Sequence, residues 1–294
     1  MKKGIYLALL TAVISGFSIF ANKIFVTQVD PLAFTTVRNL LVGLMLSSAV
    51  IGSGKLSSLK LLKTRDWLKL MFIGIFGGGI AFALFFSGLA QIGAVQGNLI
   101  HKTLFLWATI FAYPILKERL HPLQILGYLF IIAATFIIGG PFSLNFNQGA
   151  LMVLVATIFW AAENVVAKIV LRKVNPQVVG MMRILIGLPV LLVITLISAK
   201  GQLLFDPKTL NIMPLITSSL FLTGYILAWY QALKFLPAIL ATSILVIAPV
   251  ITNLLTAIFI THTLPQVQSN SAILLAVGIG LILVKVFKPR PQIA

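Results

Sequence analysis

The side chains able to do chemistry are few in this 294-residue sequence: five Asp and Glu, three His and no Cys, against 22 Lys and Arg. Glu163 is the one acid near the middle of a long apolar run, and five cations, Lys23, Arg38, Lys102, Lys168 and Arg183, also lie inside such runs. An acidic group at the centre of a lipid-embedded helix costs about 2.5–3.5 kcal/mol on insertion scales, so Glu163 must be protonated, paired or facing water. A carboxyl that exchanges a proton there would couple a proton gradient to movement. The plainer reading is a structural ion pair with one of the five cations.

Two further polar faces emerge at helical spacing. Thr11, Ser15, Ser18 and Asn22 recur at steps of four, three and four, one stripe among apolar neighbours. Such hydroxyls often only bond back to a carbonyl one turn earlier, but a stripe of four ending in Asn points to the lining of a polar cavity. Asn98, His101, Lys102, Phe105 and Thr109 fall within about 100° of arc, the width of one helix face. There Lys102 could clamp a carboxylate or phosphate and His101 could exchange protons; equally, Lys102 could snorkel to the interface. Thr242 and Asn253 lie on a later apolar run that Pro249 interrupts, where the missing N–H permits a kink. Trp160 and Trp229 are the aromatics nearest these faces.

No enzyme constellation accompanies them. His101, His121 and His262 fall on different segments, and neither an HExxH pattern nor a phosphate-cradling loop occurs, so no metal and no cofactor is expected. The bulk composition is equally restrictive. Hydrophobic residues make up 60% of the chain and charged ones 9%, and mean hydropathy is +1.09. Soluble domains carry about 25% charge, so a soluble globule is excluded and the chain must be solvated mainly by lipid.

A bilayer core of about 30 Å takes about 20 helical residues per crossing. Apolar runs between polar breaks predict ten: 4–27, 31–52, 67–90, 97–116, 122–140, 149–171, 177–198, 213–235, 238–261 and 270–287. With the N-terminus inside, fifteen of the 22 Lys and Arg fall on inner segments, five within spans, and only Lys200 and Lys208 outside. That bias places both termini in the cytoplasm. It also turns the net charge of +17 into a topology signal at an anionic leaflet, leaving no reason to expect a nucleic-acid partner.

Shifted by 145 residues, the chain matches itself: Gly4 on Gly149, Lys23-Ile24 on Lys168-Ile169, Asp30-Pro31 on Asn175-Pro176, Arg38 on Arg183, and Ser15 and Ser18 on Trp160 and Glu163. Near 144 the match resumes, with Ala94 on Ala238, Leu120 on Leu264 and Gln124 on Gln268. Residues 1–144 and 145–294 therefore each predict five helices. An odd number makes the two units inverted, the arrangement used for alternating access. Lys23 and Arg38 then sit near the outer side and Lys168 and Arg183 near the inner side, as paired gates or as caps at the headgroups.

The Pro31 to Arg38 spacing, the run Leu116-Lys117-Glu118-Arg119-Leu120 followed by Gln124 and Gly127, and their echoes in the second half resemble the EamA family of the drug/metabolite transporter superfamily. One departure is Thr261-His262-Thr263-Leu264, which lacks the charges of its first-half counterpart. The resemblance implies an all-α, ten-helix integral membrane protein of the plasma or inner membrane, with a cavity lined by helices 1, 3, 4, 6, 8 and 9. It implies secondary transport that exports small metabolites such as amino acids; five span cations against one acid point to exported or exchanged small polar cargo that is anionic or zwitterionic, amino acids or related carboxylates, with Glu163 as the candidate proton-coupling group. Efflux of amphipathic cations, and a receptor or assembly protein that transports nothing, are the alternatives. The expected binding residues are Ser15, Ser18, Asn22, Asn98, His101, Lys102, Thr109, Trp160, Glu163, Trp229, Thr242 and Asn253, with Lys23, Arg38, Lys168, Arg183 and Pro249 as gating or structural residues.

Overall fold

The computed structural model describes residues 1–25, 29–60, 62–118, 122–139, 147–262 and 273–282, and among these every regular element is helical. The first half contains α1 (Lys2–Phe25), α2 (Pro31–Gly52), α3 (Thr64–Phe72), a π-helical stretch Ile73–Ile80, α4 (Ala81–Lys102), α5 (Leu104–Leu116) and α6 (Pro122–Gly139). The second contains α7 (Gln148–Val170), α8 (Pro176–Ile197), α9 (Ile212–Phe235), α10 (Ala238–Ile244), α11 (Ala248–Thr256) and α12 (Ile273–Ile282).

The repeated Asp30-Pro31 and Asn175-Pro176 pairs are helix starts. Asp30 Oδ1 accepts from the amides of Leu32 and Ala33, both at 3.0 Å, and Asn175 Oδ1 from that of Gln177 at 3.0 Å. In both, proline occupies the first helical position, where its missing N–H costs nothing. Pro249 ends its hydrogen-bond ladder at Leu245, four residues back. The chain there becomes a 3₁₀ turn, Leu245–Ile247, between α10 and α11, where the sequence predicts a kink.

Among the described residues, seven helices are long and apolar enough to cross a membrane, and three shorter apolar ones, Ile100–Leu116, Pro122–Ala134 and Ile273–Ile282, accompany them. Each overlaps one predicted span. The third and fourth spans, Thr64–Ile92 and Ile100–Leu116, meet within α4, which continues in helical turns to Lys102 through the expected loop at 91–96. Yet the rings of Phe85 and His101 are 5.1 Å apart, whereas sixteen residues of straight helix would separate them by about 24 Å. The chain therefore doubles back within α4, and the fourth span breaks instead at Thr103.

Outward faces are apolar: Tyr6, Leu10, Val13 and Phe17 form an exposed stripe on α1, opposite buried Ala8, Thr11 and Ala12. Inside, α7 lies along α4 as α1 lies along α9, so corresponding helices of the two halves exchange partners. Glycines permit the closest crossings. A Cβ on Gly127 would come 2.6 Å from the Gly278 carbonyl oxygen, and one on Gly278 would come 2.7 Å from that of Gly127, the small-residue contact that lets helices approach in lipid.

Glu118, within the charged run after α5, reaches across the fold. Its carboxylate accepts from the amides of Ala238 at 2.9 Å and Ile239 at 3.1 Å, occupying the free N–H groups that open α10. Replacing Glu118 with Ala should cost about 0.5–2 kcal/mol, the usual worth of such a cap, and is expected to lower the melting temperature of the detergent-purified chain.

Candidate functional site

A small cavity of about 60 Å³ opens between the halves. Ser15 of α1, His101 and Lys102 of α4 and Phe105 of α5 line it from one half; Tyr225 of α9 and Thr242 of α10 line it from the other. No carboxylate pairs with Lys102 among the described residues. His101 stands edge-on to Phe85 and to Trp160, each at 5.1 Å, and its Nδ1 lies 3.5 Å from Thr157 Oγ1.

Trp160 connects this cavity to a second, buried cluster. Its Nε1 donates to the Gly77 carbonyl at 2.9 Å, and Arg183 Nη2 donates to the same oxygen at 3.1 Å. Gly77 lies in the π-helical stretch, a register change that disturbs the local pairing of carbonyls. The stem of Glu163 rests against Gly77, where a Cβ would collide with it. One Glu163 oxygen accepts from the Tyr230 hydroxyl at 2.5 Å and the other faces Arg183 Nη2 at 3.9 Å. Glu163 is 1% exposed, so its charge is met by protein and not by water. On the next position, Asn164 Oδ1 accepts from Trp229 Nε1 at 3.0 Å.

Both repeat-related arginines converge on one ring. The Arg183 guanidinium lies 5.3 Å from the centre of Phe82 and that of Arg38 5.6 Å, with Arg38 also 5.2 Å from Phe86. Each arginine is 5% exposed, so both guanidiniums lie within the helix packing. Lys168 does something else: its ammonium donates to the carbonyls of Leu233, Lys234 and Leu236 at 2.6, 3.1 and 2.6 Å, closing the C-terminal end of α9.

These two linked polar centres lie in a chain whose sequence matches the profile of the EamA-like transporter family twice, over residues 2–140 and 147–284. The chain belongs to the EamA-like transporter family. It is thus a multi-pass membrane protein built from two EamA units. An uncharacterized transporter of Methanothermobacter thermautotrophicus is 27% identical over 65% of this chain, which spans 61% of that relative's length. The uncharacterized transporter YyaM of Bacillus subtilis is 27% identical over 95% of this chain and 96% of its own. One from Clostridium kluyveri is 24% identical over 87% and 85%. A protein of known crystal structure, 18% identical, superposes with a TM-score of 0.75 over 98% of this chain and 99% of its own, showing the same fold.

Within this EamA-like fold, the expected binding residues divide. Ser15, His101, Lys102 and Thr242 come together at the cavity wall. Trp160 stands behind His101, while Glu163 and Trp229 lie deeper, away from the wall. Thr109 turns its hydroxyl back to the Phe105 carbonyl at 2.7 Å, and Asn22 donates to Ser18 at 3.5 Å. The side chains of Lys23, Asn98, Pro249 and Asn253 lie outside those described. Sequence reasoning missed Tyr225 as a cavity residue, Tyr230 as the partner of Glu163 and the Gly77 carbonyl as an acceptor. The run Gly77-Gly78-Gly79 was the available signal for the last.

Proposed function

We propose that this chain is an alternating-access secondary transporter that exchanges or exports small polar metabolites bearing a carboxylate, amino acids foremost. The observation that carries this reading is the cavity itself: it lies between the two halves, and its one charged wall residue among those described is a lysine with no counter-ion. An anion or zwitterion supplies that charge. A cationic cargo would need Glu163, which is already occupied by Arg183 and Tyr230.

Ten crossings in two inverted units, residues 1–144 and 145–294, with both termini cytoplasmic, complete the proposal. Contacts between connections support it, since they join segments assigned to the same side. Asp30 pairs with Lys200 at 2.7 Å on the outer side. On the inner side, Asp66 pairs with Lys173 at 3.0 Å and Lys55 Nζ donates to Gln177 at 2.7 Å. Glu163, between ion pair and proton carrier, is the coupling group.

Counterflow into vesicles containing the purified chain tests the assignment, using the twenty standard amino acids as a panel. Saturable exchange of at least one is expected, and no exchange across the panel would refute the amino-acid assignment. Lys102→Ala is expected to raise the half-saturating concentration of the exchanged amino acid about tenfold, the loss of roughly 1.4 kcal/mol; an unchanged value would remove Lys102 from the anion site.

A further inference from the structure

The repeat sets Arg38 where Arg183 stands and Ser18 where Glu163 stands. The packing keeps a related arrangement across the halves. α8 of the second half crosses the third span of the first at Gly78, against the Arg183 carbonyl. α2 of the first half crosses α9 of the second at Ser219, whose hydroxyl donates to the Arg38 carbonyl at 3.5 Å. Each arginine-bearing helix thus packs on the third helix of the opposite half, and the side chains at the repeat positions differ by one negative charge.

Arg183 has Glu163. Arg38, equally buried, has no acid among the described residues: its Nε and Nη2 reach only Asn39 Oδ1, at 3.4 and 3.3 Å, beside the rings of Phe82 and Phe86. On the same face of α2 and the facing turn of α9, Thr35 Oγ1, Asn39 Nδ2 and Ser218 Oγ are all buried without a hydrogen-bond partner. A buried cation without a counter-charge is costly, and so is each unmatched donor around it. An anion accepting from all of them removes both penalties, and a guanidinium fork suits a planar carboxylate.

We infer that Arg38 forms a carboxylate subsite for the cargo: between Arg38 and the Ser15–Ser18 stripe of α1, the cargo carboxylate takes in the first repeat the place that Glu163 holds in the second. The inference rests on the transport reading above and gives its cargo a second contact. Ser15 already lines the cavity, and the rings of Phe85 and Phe86, 5.3 Å apart, stand between His101 and Arg38. Lys102 meets the anion in the present cavity. Arg38 receives it when the two halves exchange conformations and those rings move aside.

The test compares each standard amino acid with its own carboxamide in the vesicle counterflow assay. Wild-type chain is expected to exchange at least one amino acid and to reject its amide. Arg38→Gln should raise the half-saturating concentration for that amino acid at least tenfold, and Arg38→Lys, which keeps the charge and loses the fork, should fall between. Ser18→Glu supplies an internal carboxylate and guards against a misfolded Arg38→Gln protein. It should melt no lower than wild type yet no longer exchange the amino acid. Wild-type half-saturation in both Arg38→Gln and Ser18→Glu overturns the Arg38 subsite and leaves the transport reading standing, whereas equal exchange of acid and amide by the wild type overturns the carboxylate contact at Lys102 and at Arg38 alike. Failure of the wild type to exchange any amino acid overturns the cargo assignment and the subsite together.

Discussion

Glu163→Gln is expected to make exchange insensitive to pH and to lower the melting temperature of the chain. The two effects have different origins. Glu163 is sealed among Gly77, Tyr230 and Arg183, and its substitution leaves the Arg183 guanidinium, 5% exposed, without its only acidic partner among the described residues. Removing one member of a buried pair costs about 3–5 kcal/mol, because the other charge remains out of water. Arg183→Gln should cost a similar amount, and the double variant less than the sum of the two, the signature of direct coupling. The pH profile carries the functional part. If Glu163 releases Arg183 when it takes a proton, wild-type exchange varies with pH and the Gln variant, which has no proton to exchange, gives a flat profile. A variant that is less stable but keeps the wild-type profile would leave Glu163 a purely structural pair.

Gly187→Ala should be among the most damaging Gly-to-Ala changes at the described residues. A Cβ at Gly187 would run into the Cα, carbonyl carbon and oxygen of Gly78, and one at Gly78 into the carbonyl of Arg183. These are backbone atoms, so no side chain can rotate away and the helices must separate. Overpacking of this kind typically costs about 1–3 kcal/mol. Here it also displaces the Gly77 carbonyl that holds Trp160 and Arg183. Expression as a monodisperse species in detergent and the melting temperature are the readouts. Gly280→Ala is the matching control, since nothing among the described residues lies within 4 Å of its added Cβ, and it should behave as wild type.

How much of this was legible in the sequence follows from what each feature depends on. The helical spans could be read because hydrophobic run length is a local property set by bilayer thickness. The corresponding arginines could be read because a repeat preserves offset, which places Arg38 and Arg183 without knowledge of any contact. Ser15, His101, Lys102 and Thr242 were recoverable because polar groups on an apolar helix must face something other than lipid. Other features depend on contacts between distant parts of the chain. No spacing in the sequence singles out Tyr230, whose bond to Glu163 spans 67 positions. Glu118 read as part of a charged linker, and its bonds cap a helix 120 positions away. The Gly77 carbonyl carries no signature of its own, since every residue has one. Only the π-helical register and the close approach of α7 and α8 make it an acceptor for two side chains. Trp160 and Glu163 were expected at the cavity because their repeat mates Ser15 and Ser18 form a polar stripe. They stand one layer behind it, a displacement set by contacts that a repeat offset does not record.

On the proposed function, one cavity, walled by both halves, opens to each side of the membrane in turn. The absence of native cysteine allows a direct test. Ser15→Cys places a single thiol on the cavity wall, and in vesicles of known orientation it can be challenged with a charged, membrane-impermeant thiol reagent from either face while an exchanged amino acid is supplied. The account predicts labelling from both faces, each slowed when saturating amino acid fills the cavity. Labelling from one face alone, unchanged by any amino acid that the chain exchanges, would contradict it.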